Sequence, residues 1–333
     1  MVVYSPLWCF LCLELTLDKS QKFDGGNQLI WDASSLNQSI CWRKYKYTVI
    51  DNLRPRSVYS TLKTDFGKAY HAAGEAYDTA IFEDRPRSEA VDEAVKVALT
   101  WAPKLAKPEN WEEENPGKRW DNARTLETLV RAIVWYSEQY AEDRARTIML
   151  PDGKPAIEVR FEVPLPLEGK RYSGRIDRIV DVEGALYILD RKTTGYDLGS
   201  RYARGFQTDN QVFSYIFAMR QMGVPVAGFL VDACQLLVGG NRFQRILVDP
   251  DESAIEDWLN GAYWKIEQGN RFAHEDFWPQ DFQACSMYGG CQFRDICGSG
   301  THMREQKLAE RFEVYERSQE DDGLLALPED EGA

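Results

Sequence analysis

Two neighbouring segments in the middle of the chain carry the residues best suited to chemistry. Asp177 lies in the first segment, and Asp190 and Lys192 close the second, directly after the apolar run 185–189. Alternate residues of a strand face the same way, so Asp190 and Lys192 should project together, and a hairpin can bring Asp177 beside them. Two converging carboxylates suit Mg²⁺ or Mn²⁺, and a neighbouring lysine can hold a water or stabilise charge on a phosphate. These residues predict metal-assisted hydrolysis of a phosphodiester.

A simpler interpretation is that Asp190 and Lys192 form an ordinary surface ion pair. An Asp-x-Lys spacing is a weak signal when it stands alone. However, Asp190 ends an apolar run, where a charge costs free energy unless it is paired or binds a metal. This context favours the metal site.

The elements that must position these residues follow from periodicity and turn signals. We expect strands at 156–165, 172–182 and 185–194, the last two joined by a tight turn around Glu183 and Gly184. Further strands are expected at 226–238 and 242–248. Helices are expected at 57–80, 206–221, 251–269 and 301–320, and the stretch 86–148 should be mostly helical. Another helix should begin near Asp32, with Ser34 or Ser35 as its N-cap. Residues 1–31 suggest short strands, and 279–300 a loop rich in Gly and Cys. This order predicts an α/β fold with a central mixed sheet flanked by helices.

Four short motifs in chain order give the sequence a family resemblance. They are Gly67 with His71, Gly174 with Asp177, Asp190 with Lys192, and Gln211 with Tyr215. Together they resemble the PD-(D/E)XK nuclease superfamily, and more closely the branch that contains the RecB nuclease domain and the CRISPR-associated iron–sulfur exonucleases. The resemblance implies a restriction-endonuclease-like core. It places the RecB-like nuclease domain at 34–300, with a helical insertion at 86–148, a strand-rich extension at 1–33, and a helix and acidic tail at 301–333.

The same resemblance implies roles for individual residues. His71, Asp177 and Asp190 would hold the Mg²⁺ or Mn²⁺ ion, with a further oxygen from the Arg191 carbonyl, and Lys192 would position the attacking water. Gln211 and Tyr215 would line the active site and contact the nucleic acid; at i and i+4 they share one helix face. Gly67 and Gly74 share a helix face with His71 and would let its imidazole approach a strand. Glu158 or Glu162 could add a ligand, or both could lie on a solvated strand face.

Seven cysteines suggest a second metal site. Cys285, Cys291 and Cys297 lie in one loop, and Cys41 precedes a basic and aromatic run. Relatives with this arrangement bind a [4Fe–4S] cluster through one early and three late cysteines. The gap of five residues between Cys285 and Cys291 departs from the usual two, and zinc or free thiols remain alternatives. We expect Cys9 and Cys12 to be core residues and Cys234 to be buried and inert.

The charge balance limits how the chain could bind nucleic acid. With 53 acidic and 40 basic residues, its net charge of −13 excludes a histone-like binder that relies on charge alone. Local contacts could come from basic residues around the motifs and from aromatic residues that stack on unpaired bases. The candidates are Arg43, Lys44, Lys46, Lys63, Lys68, Lys170, Arg171, Arg175, Arg201, Arg204 and Arg220, with Trp42, Tyr45, Tyr47, Tyr202 and Phe206.

These observations predict a metal-dependent DNA exonuclease with a [4Fe–4S] cluster that acts on single-stranded ends. Such enzymes serve recombination, repair, phage replication or CRISPR adaptation. Alternatives are a structure-specific endonuclease of the same superfamily and a non-catalytic DNA-binding or scaffolding subunit; an electron-transfer protein would leave the Asp-x-Lys motif unexplained. No Walker-type P-loop occurs in the sequence, so a helicase, like a recombination or CRISPR partner, would be a separate protein. We expect a cytoplasmic protein without a membrane span, since no apolar run reaches 18 residues.

Overall fold

The computed structural model describes residues 23–24, 26–56, 62–114, 117 and 119–315. The expectations for Cys9, Cys12, most of the N-terminal extension and the acidic tail therefore lie outside the described residues. The chain divides into two compact units. The first, called here the cysteine unit, comprises Met1–Ser57, Arg160–Gly174 and Glu252–Ala333; the second, the sheet unit, comprises Val58–Val159 and Arg175–Asp251.

The strands and helices largely match those expected from the sequence. The strands are β1 Phe23–Asp24, β2 Asn27–Gln28, β3 Ile30–Trp31, β4 Leu53–Pro55, β5 Arg146–Thr147, β6 Ile157–Pro164, β7 Arg171–Val182, β8 Ala185–Thr194, β9 Val226–Leu237, β10 Gly240–Val248 and β11 Phe312–Val314. The α-helices are α1 Ala33–Gln38, α2 Trp42–Tyr45, α3 Leu62–Phe82, α4 Arg87–Thr100, α5 Ala102–Leu105, α6 Trp111–Glu114, α7 Leu126–Gln139, α8 Ser200–Arg204, α9 Asn210–Gln221, α10 Glu252–His274, α11 Arg294–Cys297 and α12 Thr301–Arg311. A π-helix at Lys46–Ile50 and 3₁₀ turns at Gly205–Thr208 and Ala284–Gly289 complete them.

The sheet unit is built around strand β8. Strand β7 pairs with β8 antiparallel through a two-residue turn, in which both Glu183 and Gly184 have left-handed backbone angles, with φ of 55° and 92°. On its other side β8 pairs with β9 parallel, and β10 continues antiparallel to β9. The expected mixed sheet with flanking helices is confirmed. Because β8 is an internal strand, both of its edges are hydrogen-bonded, and most of its side chains are buried.

Helices α3, α4 and α7 form the core that supports this sheet. Their apolar stripes meet around Phe66 and Leu129, and the cluster extends to Cys234 and Leu236 of β9. Cys234 is fully buried, as expected. Small residues of α4, such as Ala94, let that helix pack closely against α3. The expected helix at 57–80 is therefore present from Leu62, and its buried face holds it against the sheet.

The cysteine unit has smaller cores. Trp31, Tyr45 and Trp278 stack in sequence, with ring centroids 5.4 and 5.8 Å apart. A second cluster contains Tyr47, Phe293, Ile296 and Phe312. Strand β3 pairs parallel with the first residues of β7.

Three local predictions are wrong. The N-cap of α1 is Asp32, not Ser34 or Ser35; the Asp32 carboxylate accepts the Ser35 N–H, and the Ser35 hydroxyl accepts the Asp32 N–H. Helix α12 ends at Arg311 rather than near 320, because Phe312 is buried and begins a strand that pairs with β4. The helix expected from 206 begins at Asn210, where Asp209 caps it. Within the described ranges, none of the helices combines the length and apolar character needed to span a bilayer.

Candidate active site and cysteine cluster

Strand β8 carries two of the expected site residues into a buried position. Its apolar residues, such as Ile188 and Leu189, are fully buried, and Asp190 continues this run at 1% exposure. Lys192 lies two residues further along the strand and forms an ion pair with the Asp190 carboxylate. The expectation that alternation places the two side chains together is confirmed. The pair is not an ordinary surface ion pair, because its carboxylate is removed from water.

Asp177 and His71 join this pair from β7 and α3. The Asp177 carboxylate accepts the backbone N–H of Arg191 at 2.7 Å, which links the two strands of the hairpin at the site. The same oxygen, Oδ2, lies 3.1 Å from Nδ1 of His71. The hairpin and the helix therefore bring Asp177 and His71 to the Asp190 segment, as the motif spacing suggested.

Helix α9 contributes an amide that connects the two charges of the β8 pair. Nε2 of Gln211 donates to Asp190 Oδ1 at 2.8 Å, and Nζ of Lys192 donates to Gln211 Oε1 at 2.8 Å. One turn later, the buried Tyr215 hydroxyl accepts the backbone N–H of Arg175 at 3.3 Å. Gln211 thus holds the charged side chains in position, and Tyr215 braces strand β7 beside them.

Glu158 of β6 is a further member of the group. Single ligand atoms of His71, Glu158 and Asp177 all lie within 4.8 Å of one another. Glu158 also forms an ion pair with Arg175, with 2.7 Å between Oε2 and Nε. Its backbone has a φ of 52°, in the left-handed region that costs a non-glycine residue about 1–3 kcal/mol. From the sequence, Glu158 and Glu162 were equal candidates for a further metal ligand. Glu162 lies in the cysteine unit, where its carboxylate forms an ion pair with Arg171 at 2.6 Å.

Burial and neighbouring charges shift the pKa values of the three carboxylates in this group. Burial raises the pKa of Glu158 to about 7, and the Asp177 charge adds to this shift. Burial also raises the pKa of Asp190 to about 6, with repulsion from Asp177 adding to it and Lys192 opposing it. Burial would raise the pKa of Asp177 too, but the His71 charge and hydrogen bond hold it at about 2. A divalent cation would relieve this repulsion, and imidazole nitrogen with carboxylate oxygens is a donor set that suits Mn²⁺ or Mg²⁺.

The residue between Asp190 and Lys192 points away from them and anchors the strand. The Arg191 guanidinium is buried and donates to both carboxylate oxygens of Asp78 in α3, at 2.5 and 2.9 Å. Asp78 also forms an ion pair with Arg178, with 3.2 Å between Oδ1 and Nη1. The sequence alone did not indicate this arrangement, although Asp78 lies one turn beyond Gly74 and the alternation of β8 turns Arg191 to the opposite face from its neighbours.

The role expected for the glycines of α3 is wrong. A Cβ on Gly74 would lie 2.9 Å from the Arg191 guanidinium, so Gly74 makes room for that arginine rather than for the His71 imidazole. A Cβ on Gly67 would meet nothing within 4 Å. Only the tertiary contact reveals which group a small residue admits.

The four expected cluster cysteines also lie near one another. Cys291 and Cys297 both pack against the apolar cluster around Phe293, and burial raises the pKa of the Cys297 thiol while Arg43 opposes this shift. Asp281 connects two of the cysteines, because its N–H donates to Cys41 Sγ at 3.3 Å and its carbonyl accepts from Cys285 Sγ at 3.4 Å. Among the described residues, no three of these sulfurs meet the 4.8 Å separation that the carboxylate group satisfies.

Several residues expected to contact nucleic acid are buried in the folded protein. Trp42, Tyr45 and Tyr47 are buried at 7%, 0% and 9% exposure, so the expectation that they stack on bases is wrong. Lys170 is also buried and donates to the Gln28 carbonyl at 3.1 Å. Among the basic residues expected to contact nucleic acid, those of the sheet unit that are exposed are Lys63, Lys68, Arg175, Arg201 and Arg204.

Comparisons with known proteins give the family of this chain. Among curated proteins, no sequence matches the chain significantly. A crystal structure of a candidate exonuclease from Eubacterium rectale is similar at 12% identity and a TM-score of 0.44, covering 86% of this chain and 100% of that one. The structure of a protein named SSO0001 is similar at 16% identity and a TM-score of 0.29, covering 63% and 96%. The family model of the PD-(D/E)XK nuclease superfamily matches residues 33–298, and so this chain belongs to that superfamily.

Proposed function

We propose that this chain is a metal-dependent deoxyribonuclease that removes nucleotides from single-stranded DNA ends. One observation carries the proposal: His71, Glu158 and Asp177 offer ligand atoms within 4.8 Å of one another, beside the ion-paired Asp190 and Lys192. In this proposal the three grouped residues and Asp190 hold Mg²⁺ or Mn²⁺. When bound, that ion would neutralise charge on the phosphate under attack.

The protein's own groups have defined tasks in the proposed reaction. Burial opposes the charge on Lys192, but Asp190 and Asp177 raise its pKa above its usual value, so its ammonium stays protonated. It therefore serves as a hydrogen-bond donor and a fixed positive charge, not as a base. Gln211 accepts from Lys192 and donates to Asp190, which keeps the ammonium directed into the site. Hydrolysis adds a water oxygen to phosphorus and breaks one ester bond to the sugar.

We further propose that Cys41, Cys285, Cys291 and Cys297 hold a [4Fe–4S] cluster. Cys41 and Cys285 are linked through the Asp281 backbone, and the Cys291 N–H donates to the Cys285 carbonyl at 3.0 Å. Cys291 and Cys297 both pack against the apolar cluster around Phe293. Four thiolates are the usual ligands of a [4Fe–4S] cluster.

The test of the nuclease is cleavage of a fluorescently labelled single-stranded oligonucleotide by anaerobically purified protein. We expect shortening with Mn²⁺ or Mg²⁺, none with EDTA, and none by Asp190→Ala, whereas Asp152→Ala, at an exposed carboxylate, should cleave normally. The label position reports the polarity. Cutting of closed circles would indicate the endonuclease instead, and a folded protein that never cleaves would indicate a binding subunit.

A further inference from the structure

The segment after the catalytic lysine carries exposed aromatic residues close to the site. Strand β8 ends at Thr194, which lies two residues beyond Lys192 and on the same face. At about 3.3 Å per residue, the two side chains leave the strand about 6.6 Å apart. Thr194 accepts the backbone N–H of Tyr196 at 3.0 Å through its hydroxyl, and it is hydrogen-bonded to the Tyr202 side chain. Thr194 therefore fixes two tyrosines near Lys192.

The aromatic side chains in this segment are available to a ligand. Tyr196 is 76% exposed. Tyr202 and Phe206 are half-buried and pack edge to face, with ring centroids 5.1 Å apart. This differs from Trp42, Tyr45 and Tyr47, whose rings are buried against other side chains of the cysteine unit. Of the aromatic residues considered for base stacking, those in the 196–206 segment are the ones that the fold leaves accessible.

The charge of the segment fits a polyanion. Arg201 and Arg204 of α8 are exposed, and among the described residues neither has an acidic side chain within ion-pair distance. In contrast, exposed arginines such as Arg144 and Arg271 pair with glutamates. Two unneutralised guanidinium groups beside three aromatic rings match the chemistry of a single nucleic-acid strand, which offers phosphates and unpaired bases.

We propose that Tyr196, Tyr202 and Phe206 form a stacking site for an unpaired base adjacent to the phosphate that Lys192 faces, with Arg201 and Arg204 binding neighbouring phosphates. This inference rests on the proposed nuclease function and specifies its substrate. The base nearest the cut must be unpaired to reach the rings, so the enzyme acts on single strands or frayed ends. Stacking tolerates any base, so little sequence preference is expected.

Binding of a fluorescein-labelled oligodeoxythymidylate in EDTA tests the site without cleavage. We expect Tyr196→Ala and Phe206→Leu each to raise the Kd about tenfold, within the range for loss of one stacked base. Trp264→Ala, which removes another exposed aromatic ring, should leave the Kd unchanged. Arg201→Ala and Arg204→Ala should each reduce the slope of log Kd against log salt by about 0.7. Because Tyr196 is exposed, its variant should keep the wild-type unfolding temperature.

A scan with single abasic nucleotides separates this inference from the nuclease itself. We expect one position beside the cleaved bond where an abasic nucleotide weakens binding by wild type but not by Tyr196→Ala or Phe206→Leu. An abasic penalty that persists in both variants, or no position-specific penalty, would overturn the stacking site even if cleavage is normal. Conversely, stacking behaviour without any metal-dependent cleavage would refute the nuclease and keep the base-binding site. Absence of oligonucleotide binding by wild type would overturn both.

Discussion

The carboxylate group of the sheet unit and the cysteine group of the cysteine unit are held in different ways. In the first, the side chains already pair with one another: His71 with Asp177, Lys192 with Asp190, and Gln211 with both members of the latter pair. In the second, the sulfur atoms of Cys41 and Cys285 hydrogen-bond to the backbone of Asp281. The carboxylate group is therefore organised by the protein alone.

The elements that carry the two groups explain this difference. The carboxylate group stands on strands β7 and β8 and on helices α3 and α9, which are braced by a large apolar core. Three of the cysteines stand on a 3₁₀ turn, a loop and the four-residue helix α11, beside a small cluster around Phe293. Long elements hold side chains without a ligand, whereas short turns gain rigidity when a metal group binds them. Removing ligands should thus cost activity in one site and stability in the other.

The largest expected effect is on cleavage, from Lys192→Ala. Loss of the ammonium should reduce kcat by about 10³-fold, as removal of a charge-stabilising donor does in comparable sites. It should also lower the unfolding temperature, because the buried Asp190 carboxylate loses its ion-pair partner. Cleavage rates and thermal melts of the purified variant measure both. Lys154→Ala, at an exposed lysine paired with Asp152, is the control and should behave as wild type. Near-normal cleavage by Lys192→Ala would contradict the assignment.

The second effect concerns the buried support of the carboxylate group. Asp78→Asn should destabilise the protein by about 3–5 kcal/mol, because the buried Arg191 and Arg178 would lose their counter-charge. Urea unfolding measures this loss, and cleavage should fall as β8 loosens. Asp152→Asn, at an exposed carboxylate paired with Lys154, should cost less than about 1 kcal/mol. Equal losses for the two variants would show that the site does not depend on this buried pair.

The third effect concerns the cluster and the stability of the protein when one of the expected cysteine ligands is removed. Cys291→Ser should abolish the visible absorbance of the cluster and lower stability by about 2 kcal/mol, or roughly 4–8 °C in unfolding temperature. Cys234→Ser is the matched control, since Cys234 is buried in β9 and accepts a contact from Asn241 at 3.7 Å. It should keep all its iron. A Cys291→Ser protein that stayed coloured would remove that residue from the ligand set.

The smallest effect is the pH dependence of metal binding in the sheet unit. A metal must displace the proton that Glu158 holds below its pKa of about 7. Affinity for Mn²⁺ should therefore fall as pH falls below 7, by up to about tenfold per pH unit for each proton displaced. His71 must also release a proton, because the Asp177 charge outweighs burial and raises the pKa of its imidazole. Calorimetric titration between pH 6 and 8 measures this, and Glu158→Gln should make the profile shallower by the share of one proton. Glu162→Gln should retain the wild-type profile, because Glu162 pairs with Arg171 instead.

Much of the fold could be predicted because strand and helix periodicities are local properties. The β7–β8 hairpin, its turn at Glu183 and Gly184, and the shared face of Asp190 and Lys192 all follow from alternation and turn chemistry. The misplaced N-cap and the early end of α12 have another cause. Helix α1 begins earlier than expected, because the Asp32 carboxylate caps it by accepting the Ser35 N–H. In α12 a local preference for helix lost to the pairing of Phe312 with strand β4.

The sequence by itself determined which residue types lie on which face of each element, and hence that His71, Asp177, Asp190 and Lys192 could meet. It could not separate Glu158 from Glu162, because both lie on the same face of β6 at a spacing of four. The tertiary structure decided that choice by placing Glu158 within ligand distance of His71 and Asp177. The tertiary structure also decided that the space beside Gly74 holds the Arg191 guanidinium. Periodicity specifies a direction within one element, whereas neighbours in space depend on how separate elements pack.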